Sequence, residues 1–259
     1  MEAKKIIITG GATRIGAAIA KSLANEATDI TIHYNTSSSK AKKVKKELDE
    51  LGINTYLLKS NLNKEREVAQ LIRKGKKQMG GLDCLINNAS IFENDDISNF
   101  SSKSWEKHID VNLKSPSILM REFFKLTKNK PGNIINIIDQ RIFKLTPFFF
   151  SYSVSKYALA AVTKISAMKF APNIRVNGIA PGPTMKNKRQ SEKHFKKQYL
   201  STPLKRQVDV DQICNAVDFI IKNRSITGQV LAIDSGQSLN WQTPDIMGGK
   251  EWKKIILKS

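Results

Sequence analysis

Short β-branched runs recur along this chain with longer segments of helical pattern between them, and that alternation leaves few folds open to it. The runs are KKIIIT (4–9), DITIHY (29–34), INTYLL (53–58), LDCLIN (82–87), NIINII (133–138), NIRVNGIA (173–180) and QVLAID (229–234). Helical patterns fill 14–26, 38–51, 63–79, 103–128, 153–170 and 209–222, with a looser basic segment at 187–200. Strands separated by helices pair in parallel through right-handed crossovers. The expected fold is therefore α/β, a single Rossmann-type doubly wound parallel sheet of about seven strands with helices on both faces. A chain of 259 residues is accommodated by one such sheet, so residues 1–259 are expected to form one domain. Within it, the Pro- and Lys-rich stretch 181–203 is expected to pass over the carboxyl edge, and 241–259 to form a tail.

No apolar run approaches the roughly 18 residues of a membrane span, and Ile6–Ile8 is too short to be the core of a signal peptide. Cys84 and Cys214 stand apart, with no Cys/His cluster of metal spacing, so neither disulfides nor a metal is expected and a reducing cytoplasm suits the chain. The charge is the compositional oddity: 43 Lys+Arg against 23 Asp+Glu, a formal +20. Clustered cations suit a nucleic-acid backbone. Here the clusters at 40–50, 73–77 and 186–198 fall on separate helical segments without interleaved aromatics, so a solvated lysine-rich surface that steers anions inward is expected instead.

Ligands of such sheets bind outside the carboxyl ends of the strands, and four loops there carry a signal. TGGATRIGAAIA (9–20) follows the first strand. Its Gly10 and Gly11 permit a tight turn against a phosphate, Gly16 permits close helix packing, and the helix start offers amide donors. The second strand ends in IHYNTSSSK (32–40), where an NAD site usually has an acid for the ribose hydroxyls. None is present, and His33, Asn35, Thr36, Ser37 and Lys40 offer donors and positive charge that suit a 2′-phosphate, with Arg14 able to reach phosphate or substrate. The fourth strand runs into NNAS (87–90) and then Ile91–Phe92. After the fifth, the stretch DQRIFKLTPFFFSYSVSK (139–156) opens on a carboxylate and closes on Tyr152 and Lys156, which share one face of a helix; an ammonium there is expected to lower the phenol's pKa.

TGGATRIG, NNAS, YSVSK and APGPT (180–184), in that order, resemble the short-chain dehydrogenase/reductase family from Lys5 to about Leu239. The resemblance implies a nicotinamide cofactor and a catalytic tetrad on Asn112 of DVNLKSP, Asp139, Tyr152 and Lys156, with Tyr152 as acid, Lys156 on the cofactor ribose and Asn112 supporting a relay water. It further implies cofactor contacts at Gly10, Arg14, Ile15, His33, Tyr34, Asn35, Ser37, Asn61, Asn88, Ala89, Lys156, Pro181 and Gly182. Asn61 of KSNLN stands where the family usually has Asp. DSGQSL (234–239) resembles a segment that packs across subunits, which implies a homotetramer.

Two departures sharpen the resemblance. Arg14 replaces a glycine of the first loop, and Asp139 stands where the family's serine is expected, where a carboxylate would repel a developing oxyanion. Both resemble the pteridine reductases and dihydromonapterin or dihydrofolate reductases. This implies NADP(H) as cofactor and a pterin-type substrate held by Arg14, Ser90, Phe92, Asp139 and Tyr152. A pterin's N–H groups suit a carboxylate, and its C=N bond takes up hydride and a proton. A carbonyl reductase of the 3-oxoacyl thioester type, with Asp139 merely structural, stays open. So does a non-catalytic nucleotide- or nucleic-acid-binding protein on the same fold, and Phe92 reads equally as an ordinary buried aromatic.

Overall fold

The computed structural model describes residues 4–25, 29–128, 130–187 and 190–241. Seven strands form one sheet: β1 Lys5–Ile8, β2 Asp29–Tyr34, β3 Asn54–Lys59, β4 Cys84–Asn87, β5 Gly132–Ile137, β6 Ile174–Pro181 and β7 Val230–Ile233. Their order is β3-β2-β1-β4-β5-β6-β7 and every pairing is parallel. The winding reverses between β1 and β4, and there the expected ligand crevice opens.

Period-two alternation of the strand residues divides the core in two. Ile6, Ile8, Ile30, Ile32 and Ile86 pack on one face beneath α1 Arg14–Ser22, α2 Ser38–Asp49 and α8 Val210–Lys222. Ile7, Leu85, Ile134 and Val176 pack on the other beneath α3 Glu65–Met79, α5 Ser115–Thr127 and α6 Phe150–Phe170. The lysine-rich helices α2 and α3 thus lie on opposite faces, and their cations do not join into one stripe. Among the described residues no helix is long and apolar enough to cross a membrane.

One expected helix is interrupted. The pattern over 103–128 resolves into α4 Ser102–Ile109, a π-helical turn Asp110–Lys114, and α5. The extra residue of such a turn re-aims one side chain while the helix continues on either side, a form common at functional sites. Here that turn contains Asn112. The basic segment 187–200 contributes α7 Glu192–Leu200, whose N-cap Ser191 accepts the amide of His194. Of the expected tail, only Trp241 lies within the described residues.

Candidate active site

The carboxyl ends of the strands enclose a cleft of about 1140 Å³. At one end the turn after β1 is clamped by the turn after β4. Thr9 Oγ1 accepts the amides of Asn88 (2.9 Å) and Ala89 (3.0 Å), while Asn88 Nδ2 donates to the carbonyls of Thr9 and Gly10. Gly10 has φ +62°, and a Cβ there would lie 3.0 Å from Ala89 Cα; one on Gly16 would lie 2.5 Å from the Gly10 carbonyl oxygen. Only glycine leaves this turn hollow. Thr13 gives α1 no side-chain cap and α1 carries no acid in its first turn, so the helix start suits an anion.

Arg14 occupies its family-glycine position at φ +53°, a left-handed conformation that costs a non-glycine residue on the order of 1 kcal/mol. Its guanidinium donates to the carbonyls of Met185 (2.9 Å) and Lys186 (2.8 Å), tying the glycine turn to the 181–203 excursion. Ile15, Asn35, Asn61, Pro181 and Gly182 line the same cleft. Tyr34 packs against the core, and Ser37 stands at the N-cap position of α2 without a side-chain cap. His33 departs from the expectation of a charged phosphate donor. It is 2 % exposed, Nδ1 accepts the Gly10 amide (3.2 Å), and Nε2 lies 3.1 Å from the Ser60 carbonyl, to which it then donates. Burial lowers its pKa to about 4. It is a neutral brace under the turn.

At the other end of the cleft stand the catalytic candidates. The Tyr152 hydroxyl donates to Asp139 Oδ2 at 2.7 Å, and Asp139 Oδ1 accepts the Arg141 amide at 2.9 Å. Burial raises the pKa of Asp139 despite those donors, and burial together with the neighbouring carboxylate raises Tyr152 well above the ordinary phenol range. The expected lowering of the phenol by Lys156 is therefore overturned. Lys156 Nζ donates to the Ile137 carbonyl (2.8 Å), 5.8 Å from the tyrosine ring centroid, so the carboxylate dominates. A phenol in this setting keeps its proton at neutral pH, as an acid must.

Burial pulls Lys156 itself down from 10.5 to about 8, partly offset by Asp139. Between those values the unfolded chain holds a proton that the folded chain has released, so stability gains from Lys156 as pH rises from about 8 towards 10.5 and not below. Denaturant melts at several pH values should show wild type gaining on Lys156→Met across that window. A constant difference would contradict the burial of this ammonium.

The Asn112 side chain is tied into the protein. Its Oδ1 accepts Ile91 N (2.9 Å) and Ser90 Oγ (3.1 Å), and its Nδ2 donates to the Ile91 carbonyl and to Ser155 Oγ. Both donors and both acceptor positions of the side chain are engaged with protein, so a relay water would be held by other atoms than these. The side chain pins Ser90 and Ile91 beside α6.

Phe92 forms a wall, its ring 4.6 Å from Tyr152 edge-on and 4.4 Å from Phe149 in a stack. Three groups of this region escaped sequence reading. Phe149, at φ +60°, supports Phe92. Arg141 lies over the Phe149 ring at 4.7 Å. Asp95 grips the start of α6, its carbonyl accepting Phe149 N (2.7 Å) and its carboxylate Ser151 N (3.1 Å). Position gave the one available signal: Arg141 two residues after Asp139, and Phe149 in the triple phenylalanine before Tyr152.

A dinucleotide-type crevice at the switch point of a parallel sheet, with a Tyr/Lys pair at its far end, defines a nucleotide-dependent oxidoreductase. The model of the family described as enoyl-(acyl carrier protein) reductase matches residues 10–238, and the chain belongs to the short-chain dehydrogenase/reductase family. Within it the likeness runs to the pteridine reductase-like branch. The structure of FolM alternative dihydrofolate reductase 1 from Brucella canis, complexed with NADP, superposes with TM-score 0.89 at 39 % identity, covering 93 % of this chain and 96 % of that one. Its Brucella suis counterpart, also with NADP, matches at the same identity and TM-score. The 3-oxoacyl-[acyl-carrier-protein] reductase FabG of Staphylococcus epidermidis is 29 % identical over 239 residues, 90 % of this chain and 98 % of that protein.

Proposed function

We propose that the protein reduces a pterin-type substrate, a dihydropterin, dihydromonapterin or dihydrofolate, with NADPH. The observation that carries this reading is the Asp139–Tyr152 hydrogen bond at 2.7 Å in a cleft walled by Phe92. A carboxylate at this point is suited to ring N–H groups, to which it offers charge-assisted acceptors, and ill suited to a developing alkoxide. Tyr152, which holds its proton, delivers it to a ring nitrogen, and Asp139 orients the ring while keeping the phenol aligned. Phe92 supplies a flat apolar wall, and Ser90, pinned by Asn112, a hydroxyl at the ring's polar edge. When bound, the cofactor supplies the hydride. The hollow glycine turn and the α1 start are formed to hold its phosphates, with Ile15, Asn35, Asn61, Pro181, Gly182 and Lys156 along its length.

The carbonyl-reductase reading is favoured by the Staphylococcus epidermidis relative, with Asp139 then serving only as N-cap of the 3-10 turn 140–142. NADPH oxidation on addition of a dihydropterin tests the first reading. Steady turnover is expected, and none at substrate saturation would overturn it.

Cofactor choice gives a separate expectation. With His33 neutral, selectivity rests on the acid-free Asn35–Lys40 loop, where one well-paired phosphate is worth about 1.5 to 3 kcal/mol. NADPH should therefore bind at least about tenfold more tightly than NADH in titration calorimetry, and equal affinities would refute the assignment. The reading extends to a cytoplasmic homotetramer, supported by two buried free thiols and by Tyr157, Ile165 and Met168, exposed along α6.

A further inference from the structure

The residues lining the cleft include one carboxylate, Asp139, against four basic side chains, Arg14, Lys107, Arg141 and Lys156. Three of those cations have partners that hold them. Arg14 is anchored through both terminal nitrogens on the Met185 and Lys186 carbonyls, Lys107 pairs with Glu93 at 2.6 Å, and Lys156 is buried on the Ile137 carbonyl. Arg141 differs. Among the described residues its guanidinium makes one hydrogen bond, to Thr146 Oγ1 at 2.9 Å, and no ion pair. The remaining N–H donors of a rigid planar fork are left to the cleft and to solvent, which is the arrangement that captures carboxylate or phosphate.

Its position gives that fork a purpose. Phe92 stands edge-on to Tyr152 and stacks on Phe149, and the Arg141 guanidinium lies over both rings, 4.7 Å from the Phe149 centroid and 5.9 Å from that of Phe92. The backbone amide of Arg141 is bonded to Asp139, so the two side chains are fixed to one short turn, the carboxylate facing Tyr152 and the cation lying against the Phe92 and Phe149 rings, where its charge also acts on Asp139. A ring engaged at Asp139 and Phe92 would direct its substituent along that wall towards Arg141.

We infer that the substrate carries an anionic group on the side chain of its ring, received by Arg141, so that acid-tailed pterins are preferred to pterins with neutral polyol tails. This rests on the pterin reading and goes beyond it by assigning the tail. Carboxylate and phosphate share the required chemistry, and one set of assays separates them.

The test compares kcat/KM for three substrates in wild type, Arg141→Gln and Arg141→Lys: dihydrofolate with its carboxylates, a dihydropterin with a phosphorylated side chain, and a dihydropterin with a neutral polyol side chain. The expected result is a preference for at least one acidic substrate that falls at least about tenfold in Arg141→Gln, mainly through KM, as one charge-assisted bidentate contact is lost. Arg141→Lys should restore part of it, and added salt should weaken the wild-type preference. The acidic substrate that loses more identifies the natural anion. If both acidic ratios are unchanged in Arg141→Gln, or all three substrates fall together as for a merely structural cation over Phe149, the inference is overturned while pterin reduction stands. If wild type turns over none of the three, the pterin reading has failed and this inference with it.

Discussion

Replacing Tyr152 with phenylalanine should lower kcat for a dihydropterin at least about 100-fold, the loss typical of a missing general acid. The hydroxyl is the donor that faces Asp139, and burial and that carboxylate keep it protonated at neutral pH. Phenylalanine retains the ring that meets Phe92 edge-on, so the wall should persist and the melting transition should move little. NADPH affinity should stay within about twofold, since the phenol acts in the transition state and contributes little to cofactor binding. Stopped-flow reduction with parallel calorimetric titration of NADPH checks both halves. Retention of more than about a tenth of wild-type activity would remove Tyr152 from the role of acid.

Asp139→Ser, which restores the residue usual to the family, should cost pterin reduction roughly 10- to 100-fold, the worth of a charge-assisted hydrogen bond of about 1.5 to 3 kcal/mol. The carboxylate accepts from Tyr152 Oη and from the Arg141 amide on separate oxygens, and serine can serve as N-cap of the 140–142 turn but offers one neutral oxygen in place of two charged ones. Loss of the charge should also admit simple ketones, whose developing oxyanion the carboxylate opposes. The deficit should appear in kcat/KM with a little-changed melting temperature. A serine variant that reduces the pterin as well as wild type would show that Asp139 has no part in reading the ring.

The strands were legible in the sequence because buried parallel strands are short β-branched runs, and Ile6, Ile7 and Ile8 pack alternately on opposite faces of one sheet. The glycine turn was legible for a similar reason: its hollow is backbone, and backbone freedom is written in residue type. What was not legible depends on which distant group arrives beside a side chain. The four-residue spacing of Tyr152 and Lys156 correctly gave their shared helix, yet the Lys156 ammonium is drawn to a β5 carbonyl, and the phenol's environment is set by Asp139, 13 residues away. His33 reads as a phosphate donor by residue type, yet Gly10 and Ser60 occupy its two nitrogens. The π-turn around Asn112 was hidden because the flanking periodicity continues through it. Arg141 carried no motif, and its standing comes from the stack of Phe92 and Phe149 beneath it.

The central claim is that the Asp139–Tyr152 pair makes this family member a reader of ring nitrogens instead of carbonyl oxygens, and one comparison tests it most directly. NADPH oxidation by wild type should be measured side by side with a dihydropterin, dihydrofolate and an acetoacetyl thioester, with kcat/KM taken for each. The account predicts that a pterin-type substrate exceeds the thioester by at least about tenfold, the least that one charge-assisted hydrogen bond in the transition state supplies. A thioester turned over as well as or better than both pterin-type substrates would contradict it and leave the carbonyl-reductase reading in its place.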